Sequence, residues 1–424
     1  MHIRMAAICA AVSCALPAHA QTVTEQPGLP AARAAPMLGL AEVLTLAQAT
    51  APARDAADAS IRAAEASQAE AGLRPNPRGF AEAENFIGSG PYSGFGGTEV
   101  TVGVELPVER GGKRQARIAV AAAQRGGSLV DQALALAEVR QAATLAFIEA
   151  IAADRRLSNA QRQVELARES YRVANARVRA GRASPLEEQR AELEQINAVT
   201  EAEAAARLAA NARADLTRMI GQTVTQPLDD AWFSAIGTYG PAEPVIPEAT
   251  LIFSQAEAGV AVADAQVSLA AAQRTSDFTV SAGVRGLAET GDVAAVVGFS
   301  VPLLLFDNGS AAQSRALAER DRALALRRAA ILEVEAELAD AQTELANATA
   351  RARTSSGPAL AAAEEAARIS RIGYREGRLG QLDLLEAERM LAETNSRMVE
   401  ALAAYHAAEA RLARLTAPLP QGAN

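Results

Sequence analysis

The chain has 424 residues, a formal net charge of -9 at pH 7, and a composition that is half apolar but only 4% aromatic. An acidic chain without a basic stripe is a poor partner for nucleic acid, and an apolar share carried largely by Ala suits thin, closely packed helices better than one thick globular core. After the first twenty residues no stretch reaches the ~18 uninterrupted apolar residues of a membrane helix, which excludes a helical integral membrane protein.

In chain order, residues 1–20 read as an export signal: Arg4 in a short basic start, an apolar run from Met5 to Pro17, and Ala18-His19-Ala20 as the cleavage site. Cleavage there makes Gln21 the mature N-terminus and removes both cysteines, Cys9 and Cys14, so the mature chain carries no thiol. The alternative is cleavage before Cys14, after Ala11-Val12-Ser13, which leaves a lipidated Cys14. Met37 to Gly72 reads as a helix closed by Leu73-Arg74-Pro75-Asn76-Pro77. A long helix follows from about Lys113 to Ala180, loosened in its first turns by Gly126-Gly127 and spanning on the order of 100 Å. The return helix runs from Pro185 to Ile220. Residues 221–247, with Trp232, Pro227, Pro241, Pro244 and Pro247, read as a linker or small side domain.

The second half repeats the plan, with helices near Glu248–Arg274, Ser310–Gly373 and Gln381–Thr416, the middle one kinked at Gly357-Pro358. In the last helix Leu384, Leu391, Met398, Tyr405 and Leu412 recur every seven residues, with the row Ala387, Thr394, Ala401, Ala408 and Leu415 beside them, which is a coiled-coil seam. The duplication is legible residue by residue. RAGRASPLEEQRAE from Arg179 and REGRLGQLDLLEAE from Arg375 lie 196 residues apart and agree at six of fourteen positions. The division is thus a first repeat at 21–220, a linker at 221–247, a second repeat at 248–416 and a tail at 417–424. In each copy a Gly, 181 or 377, interrupts a helical pattern, as where one helix ends and a second runs back.

Between the helices of each half lie short alternating segments. Val100, Val102, Val104 and Leu106 share one face opposite Glu99, Thr101, Gly103 and Glu105. Phe278, Val280, Ala282 and Val284 alternate with Thr279, Ser281, Gly283 and Arg285, and Val293, Ala295, Val297, Phe299 and Val301 form a third apolar face. Between Phe80 and Ile87 the pattern is ambiguous, with Glu82 and Glu84 opposite Ala81, Ala83 and Ile87. Such segments approach the roughly 9–11 residues of a tilted membrane strand. Half-buried hairpins of a soluble protein alternate in the same way. Four strands cannot close a membrane barrel, because open edges in lipid leave backbone groups unpaired. Three chains supply about twelve strands, within the size range of closed outer-membrane barrels.

At this point the sequence resembles the TolC-like outer membrane efflux proteins, the exit ducts of tripartite export systems in Gram-negative bacteria. The resemblance extends from about residue 38 to 416, and its sharpest local signal is Tyr374-Arg375-Glu376-Gly377, similar to the family's Tyr-x-x-Gly at the periplasmic tip. It implies a mixed α and membrane-β fold: a trimeric, 12-stranded outer-membrane barrel with four strands per chain, continued by a periplasmic α-barrel of 12 helices. A narrower resemblance, to the CzcC-like heavy-metal branch, rests on LRPNP (73–77), Glu84-Asn85-Phe86, ELPVERGGKRQAR (105–117) and VPLLLFDNGS (301–310). It implies passive export of heavy-metal cations, a periplasmic adaptor and an inner-membrane resistance-nodulation-division pump as partners, and the outer membrane as location. The same architecture serves ducts for drugs or secreted proteins, and a soluble periplasmic coiled-coil adaptor is the reading from a different class.

The family pattern carries over onto particular residues. Two acidic positions nine and twelve residues after the tip tyrosine line the closed periplasmic end in such ducts, and here they are Asp383 and Glu386. Spaced i, i+3 they share a helix face, so three chains present two stacked rings of carboxylates that attract cations. Tyr374 is implied to donate to an acidic residue of the first tip, where Glu187 falls, while the basic position of the family's lock is occupied by Leu379. The turns at Gly181-Arg182 and Gly377-Arg378 are the implied adaptor-docking points, and Glu82, Glu84, Glu105 and Arg285 are candidates for the barrel lumen. Metal ligation by the chain itself is poorly provided for. His406 is the one histidine outside the export signal, so the imidazole and thiolate clusters of transition-metal sites are missing. No nucleophile-base set or phosphate loop suggests an enzyme or a cofactor.

Overall fold

The computed structural model describes residues 37–237 and 245–419. The expected export signal, both cysteines, Pro241, Pro244 and the chain after Leu419 lie outside the described residues. The order is α1 (Leu40–Thr50), α2 (Pro52–Ala71), β1 (Arg78–Glu84), β2 (Glu99–Val108), α3 (Lys113–Arg179), α4 (Pro185–Ile220), α5 (Asp230–Ser234), α6 (Leu251–Gln273), β3 (Phe278–Leu287), β4 (Val293–Ser300), α7 (Ser310–Ser356), α8 (Pro358–Arg375) and α9 (Gln381–Leu415).

Two expectations are corrected. The helix read over Met37–Gly72 is two helices, because Ala51 precedes Pro52 and is extended at φ -71, ψ 119, the region that a following proline favours. Pro52 then opens α2, where its missing N–H costs no helical bond. Gly126-Gly127 does not loosen α3, which is continuous over 67 residues. A Cβ on Gly127 would meet the Cβ of Ala258 at 3.8 Å, an ordinary packing distance, so α6 lies alongside α3 at this point. The segment read as a linker or small side domain holds α5, whose first turn is capped by Asp229 Oδ1, accepting from the N–H groups of Ala231 (3.2 Å) and Trp232 (3.4 Å). The kink at Gly357-Pro358 separates α7 from α8, with Gly357 outside the helical region at φ -110, ψ -105.

The main core sits where the middles of α3 and α7 meet the ends of α4 and α9, around Phe147, Ile151, Leu216, Val334, Leu345, Val399 and Leu402. Ala dominates the buried positions of α3 and α4, and small side chains let neighbouring helices close in. Short α5 plugs this core. Phe233 is fully buried, Trp232 stacks on His406 at 4.1 Å, and the His406 ring nitrogens face Glu409 Oε2 at 2.9 Å and the Phe233 carbonyl at 3.0 Å. Tyr405 accepts the Gly237 N–H at 3.0 Å, and its phenol is pushed up to about 12, first by burial and then by its bond to Glu409. The seven-residue seam of α9 is therefore joined, in this half of the helix, by Val399, Leu402 and His406, which bury a second side.

The four strands form one antiparallel sheet in the order β1-β2-β3-β4. Its register places Ala83, Val100, Gly286 and Val293 across from one another, then Ala81, Val102, Val284 and Ala295. Directly opposed residues point the same way, so one face is apolar across all four strands. That apolar face is the bare one: Val102 is 58% exposed, whereas Thr101 on the opposite face is 2% exposed. A sheet of a water-soluble protein hides its apolar face, and this one displays it. Among the described residues no helix is long and apolar enough to cross a membrane.

Two of the family-like motifs build the corners between strand and helix. In the first, Glu109 pairs with Arg117, Lys113 reaches Asp277 Oδ2 at 2.8 Å, and the Arg110 N–H donates to Asp277 Oδ1 at 2.9 Å. Burial of Asp277 opposes ionisation, but those two hydrogen bonds and the charges of Lys113 and Arg117 prevail and hold its carboxyl below the ordinary range. In the second, Asp307 and Asn308 accept from the N–H groups of Gly309 and Ser310 at 2.9 and 3.0 Å and start α7.

Candidate gate at the hairpin tips

The helical hairpins α3/α4 and α8/α9 end in the same turn. At the first, the N–H groups of Ala180, Gly181 and Arg182 donate to the carbonyls of Ala176, Val178 and Arg177. At the second, those of Glu376, Gly377 and Arg378 donate to Ile372, Tyr374 and Gly373, each 196 residues further on. Gly181 and Gly377 have φ +70 and +72, the left-handed conformation in which a Cβ is strained. Gly181, Arg182, Gly377 and Arg378 are all exposed at these ends. Arg378 Nε lies 3.1 Å from Glu376 Oε2.

The return helices start differently. Ser184 caps α4, its Oγ accepting from the Leu186 N–H at 3.3 Å. The equivalent residue before α9 is Gly380, which has no side chain to accept from the first helical N–H groups, and Asp383 makes the other half of a capping box by accepting the Gly380 N–H at 2.9 Å. Asp383 and Glu187 are equivalent across the repeat. One is engaged at its own helix start, and the other is left free to reach across to the neighbouring hairpin. Asp383 and Glu386 are both exposed, one turn apart on α9.

Glu187 makes that reach. Tyr374 Oη donates to Glu187 Oε1 at 3.2 Å, and Gln381 Nε2 donates to the Glu187 carbonyl at 3.1 Å. Tyr374 is 5% exposed, and burial first, then Glu187, pushes its phenol up against the opposing effect of Arg177, which keeps it a neutral donor. The Arg177 guanidinium lies 4.9 Å from the Tyr374 ring centroid and 3.4 Å from Glu187 Oε1. Leu379, at the family's basic position, folds back over Gly373, where a Cβ would stand 2.6 Å from Leu379 Cδ1. Above the tip Arg371 grips Glu388 with two hydrogen bonds beside a cavity of about 590 Å³ between α3, α4, α8 and α9. Sequence reasoning missed Arg177. Its only signal is position, one turn before the end of α3, where a cation suits the helix dipole.

On the sheet, Glu82, Glu84, Glu105 and Arg285 share the face opposite the bare apolar one. The register brings two of them together. Arg285 bridges Glu84 (2.9 Å) and Glu99 (2.7 Å) and donates to Thr101 Oγ1 at 2.9 Å, tying β1, β2 and β3. Glu99 and Thr101 complete a network whose members sit on strands distant in sequence. Among the described residues no group of three or more His, Cys, Asp or Glu is arranged to hold a metal ion.

An outward apolar sheet continued by two long helical hairpins is the architecture of an outer-membrane channel protomer. Residues 252–417 match the family model described as outer membrane efflux protein. The chain is similar to the cobalt-zinc-cadmium resistance protein CzcC of Cupriavidus metallidurans, 28% identical over 74% of this chain and 76% of that protein. It is also similar to the nickel and cobalt resistance protein CnrC of the same organism, 32% identical over 64% of this chain and 65% of that one. Its fold matches the solved outer-membrane channel OprN with a TM-score of 0.75, at 20% identity, over 90% of each chain. Over residues 252–417 the chain carries the outer membrane efflux protein family pattern, and two heavy-metal resistance proteins are among those it is similar to.

Proposed function

We propose that the chain is one protomer of a trimeric exit duct that carries heavy-metal cations passively out of the periplasm. The observation that carries this reading is the inside-out sheet. Its outer strands β1 and β4 each pair on one side only, and an open edge in lipid costs several kcal/mol per unpaired backbone group. Three copies joined edge to edge remove every edge and give a closed barrel of about twelve strands. The helical hairpins then form a twelve-helix tunnel, and the lumen receives the Glu82, Glu84, Glu105 and Arg285 face.

In this reading the tips are the periplasmic gate. Tyr374 and Glu187 hold the two hairpins of a protomer together, and Asp383 and Glu386 form carboxylate rings across the narrow end. The exposed turns at Gly181-Arg182 and Gly377-Arg378 dock a periplasmic adaptor, which links the duct to an inner-membrane resistance-nodulation-division pump. Drive and selection belong to that pump, and the duct itself catalyses no reaction. The metal assignment is supported by the two resistance proteins to which the chain is similar. Deleting the protein from its host tests it: survival on zinc, cobalt, cadmium, nickel, copper or silver is expected to fall for at least one metal. Normal tolerance to all of them, with sensitivity to drugs instead, overturns the metal assignment and leaves the duct.

A further inference from the structure

We infer that Arg177 is the positioning residue of the gate latch, and that it confines both charges of the latch to the first hairpin, so that opening breaks the latch without separating opposite charges. This inference rests on the gate reading above. Glu187 Oε1 is shared: it accepts from Tyr374 Oη at 3.2 Å and lies 3.4 Å from Arg177 Nη1. Arg177 is in the last turn of α3 and Glu187 in the first turn of α4. Each charge is favoured by its own helix end, a cation at the C-terminus and an anion at the N-terminus. The pair therefore stays assembled on the first hairpin whether or not the second is present.

What reaches this ion pair across the parting line is the phenol of Tyr374, from α8, while Gln381 of α9 donates only to the Glu187 backbone carbonyl, so both donors from the second hairpin are neutral. A latch closed by a cation on the second hairpin would separate opposite charges on opening, and leaving one partner of a part-buried pair alone is costly. Here the basic position is Leu379, folded over Gly373, and the cation comes from the other side. The repeat shows how this was achieved. Arg177 is equivalent to Gly373 and Tyr374 to Val178, so each copy carries one half of the arrangement and lacks the other. The guanidinium carbon also lies over the Tyr374 ring, 4.9 Å from its centroid, a cation–π contact that holds the ring where its hydroxyl meets the carboxylate.

The test is single-channel recording of the full-length channel in planar bilayers, with assembly of each variant checked as a heat-modifiable trimer on gels. Tyr374→Phe and Arg177→Gln are each expected to raise the open-to-closed ratio about ten-fold, the size of a lost hydrogen bond to a charged group. The double variant is expected to open no further than either single one, because both remove the same contact. A double effect of about a hundred-fold, the product of independent sites, overturns the inference. So does a silent Arg177→Gln beside an opening Tyr374→Phe, in which case the gate reading stands without Arg177. A silent Tyr374→Phe overturns the gate reading and the inference with it. The exchange Arg177→Glu with Glu187→Arg separates latch from simple hairpin stability: it restores the ion pair but turns a guanidinium toward the phenol. The exchanged channel is expected to stay open, and recovery of the wild-type closed level shows that the pair only stabilises the hairpin. Should Arg177→Gln fail to assemble, the exchange variant decides alone.

Discussion

The two hairpin tips share a turn to the level of individual hydrogen bonds, yet they use their carboxylates in opposite ways. At the first tip Ser184 caps the return helix, and Glu187 is released to meet Tyr374. At the second, Gly380 cannot cap with a side chain, and Asp383 bends back to its N–H. A duplicated scaffold thus yields two different sites at equivalent positions. The difference teaches that the carboxylate at the third position of a helix has two outlets, the N–H of its own cap residue, as at Asp383, or a donor on the neighbouring hairpin, as at Glu187.

The largest break in this comparison is removal of both α9 carboxylates. Asp383→Ala combined with Glu386→Ala is expected to change bilayer conductance and its dependence on the cation, since a ring of like charges at a constriction governs which ions enter. Unchanged conductance and unchanged cation dependence would exclude these residues from the gate. Next comes the contrast between equivalent positions. Glu187→Gln is expected to raise the open-to-closed ratio about ten-fold by weakening the acceptor for Tyr374, whereas Asp383→Asn, which keeps the capping oxygen, is expected to shift it far less. Equal shifts in single-channel records would show that the two tips are functionally the same.

Smaller effects test the caps directly. Ser184→Ala is expected to cost about 1 kcal/mol in denaturant unfolding, because no other side chain is placed to cap α4. Gly380→Ser should do the reverse, adding up to about 1 kcal/mol at the second tip by completing the capping box beside the Asp383 bond to the residue-380 N–H. Gly380 has φ -77 and ψ 166, which serine adopts without strain. No gain in stability would show that the first-turn N–H groups of α9 need no side-chain acceptor at position 380. The smallest expected effect lies away from the tips, at the first corner. Asp277 has a lowered carboxyl, so its contribution to stability is present above the pKa of the unfolded chain and is lost as pH falls through the lower folded value. Thermal unfolding of wild type should therefore weaken on acidification below the ordinary carboxylate range, and Asp277→Asn should flatten that part of the profile. Identical profiles would remove Asp277 from the corner's ion network.

Much of this molecule is legible in its sequence, and for a local reason. The bounds of α3, α4 and α9 follow from Gly, Pro and heptad spacing, signals that act within a turn or two of where they are written. The apolar face of β2 follows from alternation in the same way, and the duplication exposes the tips because equal turns recur 196 residues apart. Short α5 was not legible, since five residues carry no periodicity, and what holds them is the pocket formed by Phe147, His406 and Tyr405 on two distant helices. Arg177 was equally hidden. In sequence it is one arginine among several near the end of α3, and its partners Glu187 and Tyr374 lie on separate elements.

By itself, then, the sequence determined the elements, their repetition, and the positions where carboxylates, glycines and the tip tyrosine stand, because each depends on backbone geometry set by near neighbours. The tertiary structure decided which carboxylate is free, which cation it meets, and which face of the sheet is bare. Those outcomes depend on the packing of one hairpin against the other and on the register of strands nearly 200 residues apart, as where Arg285 meets Glu84 and Glu99. Long-range register and competition for a shared hydrogen-bond acceptor are properties of the assembled fold, with no local pattern that records them in advance.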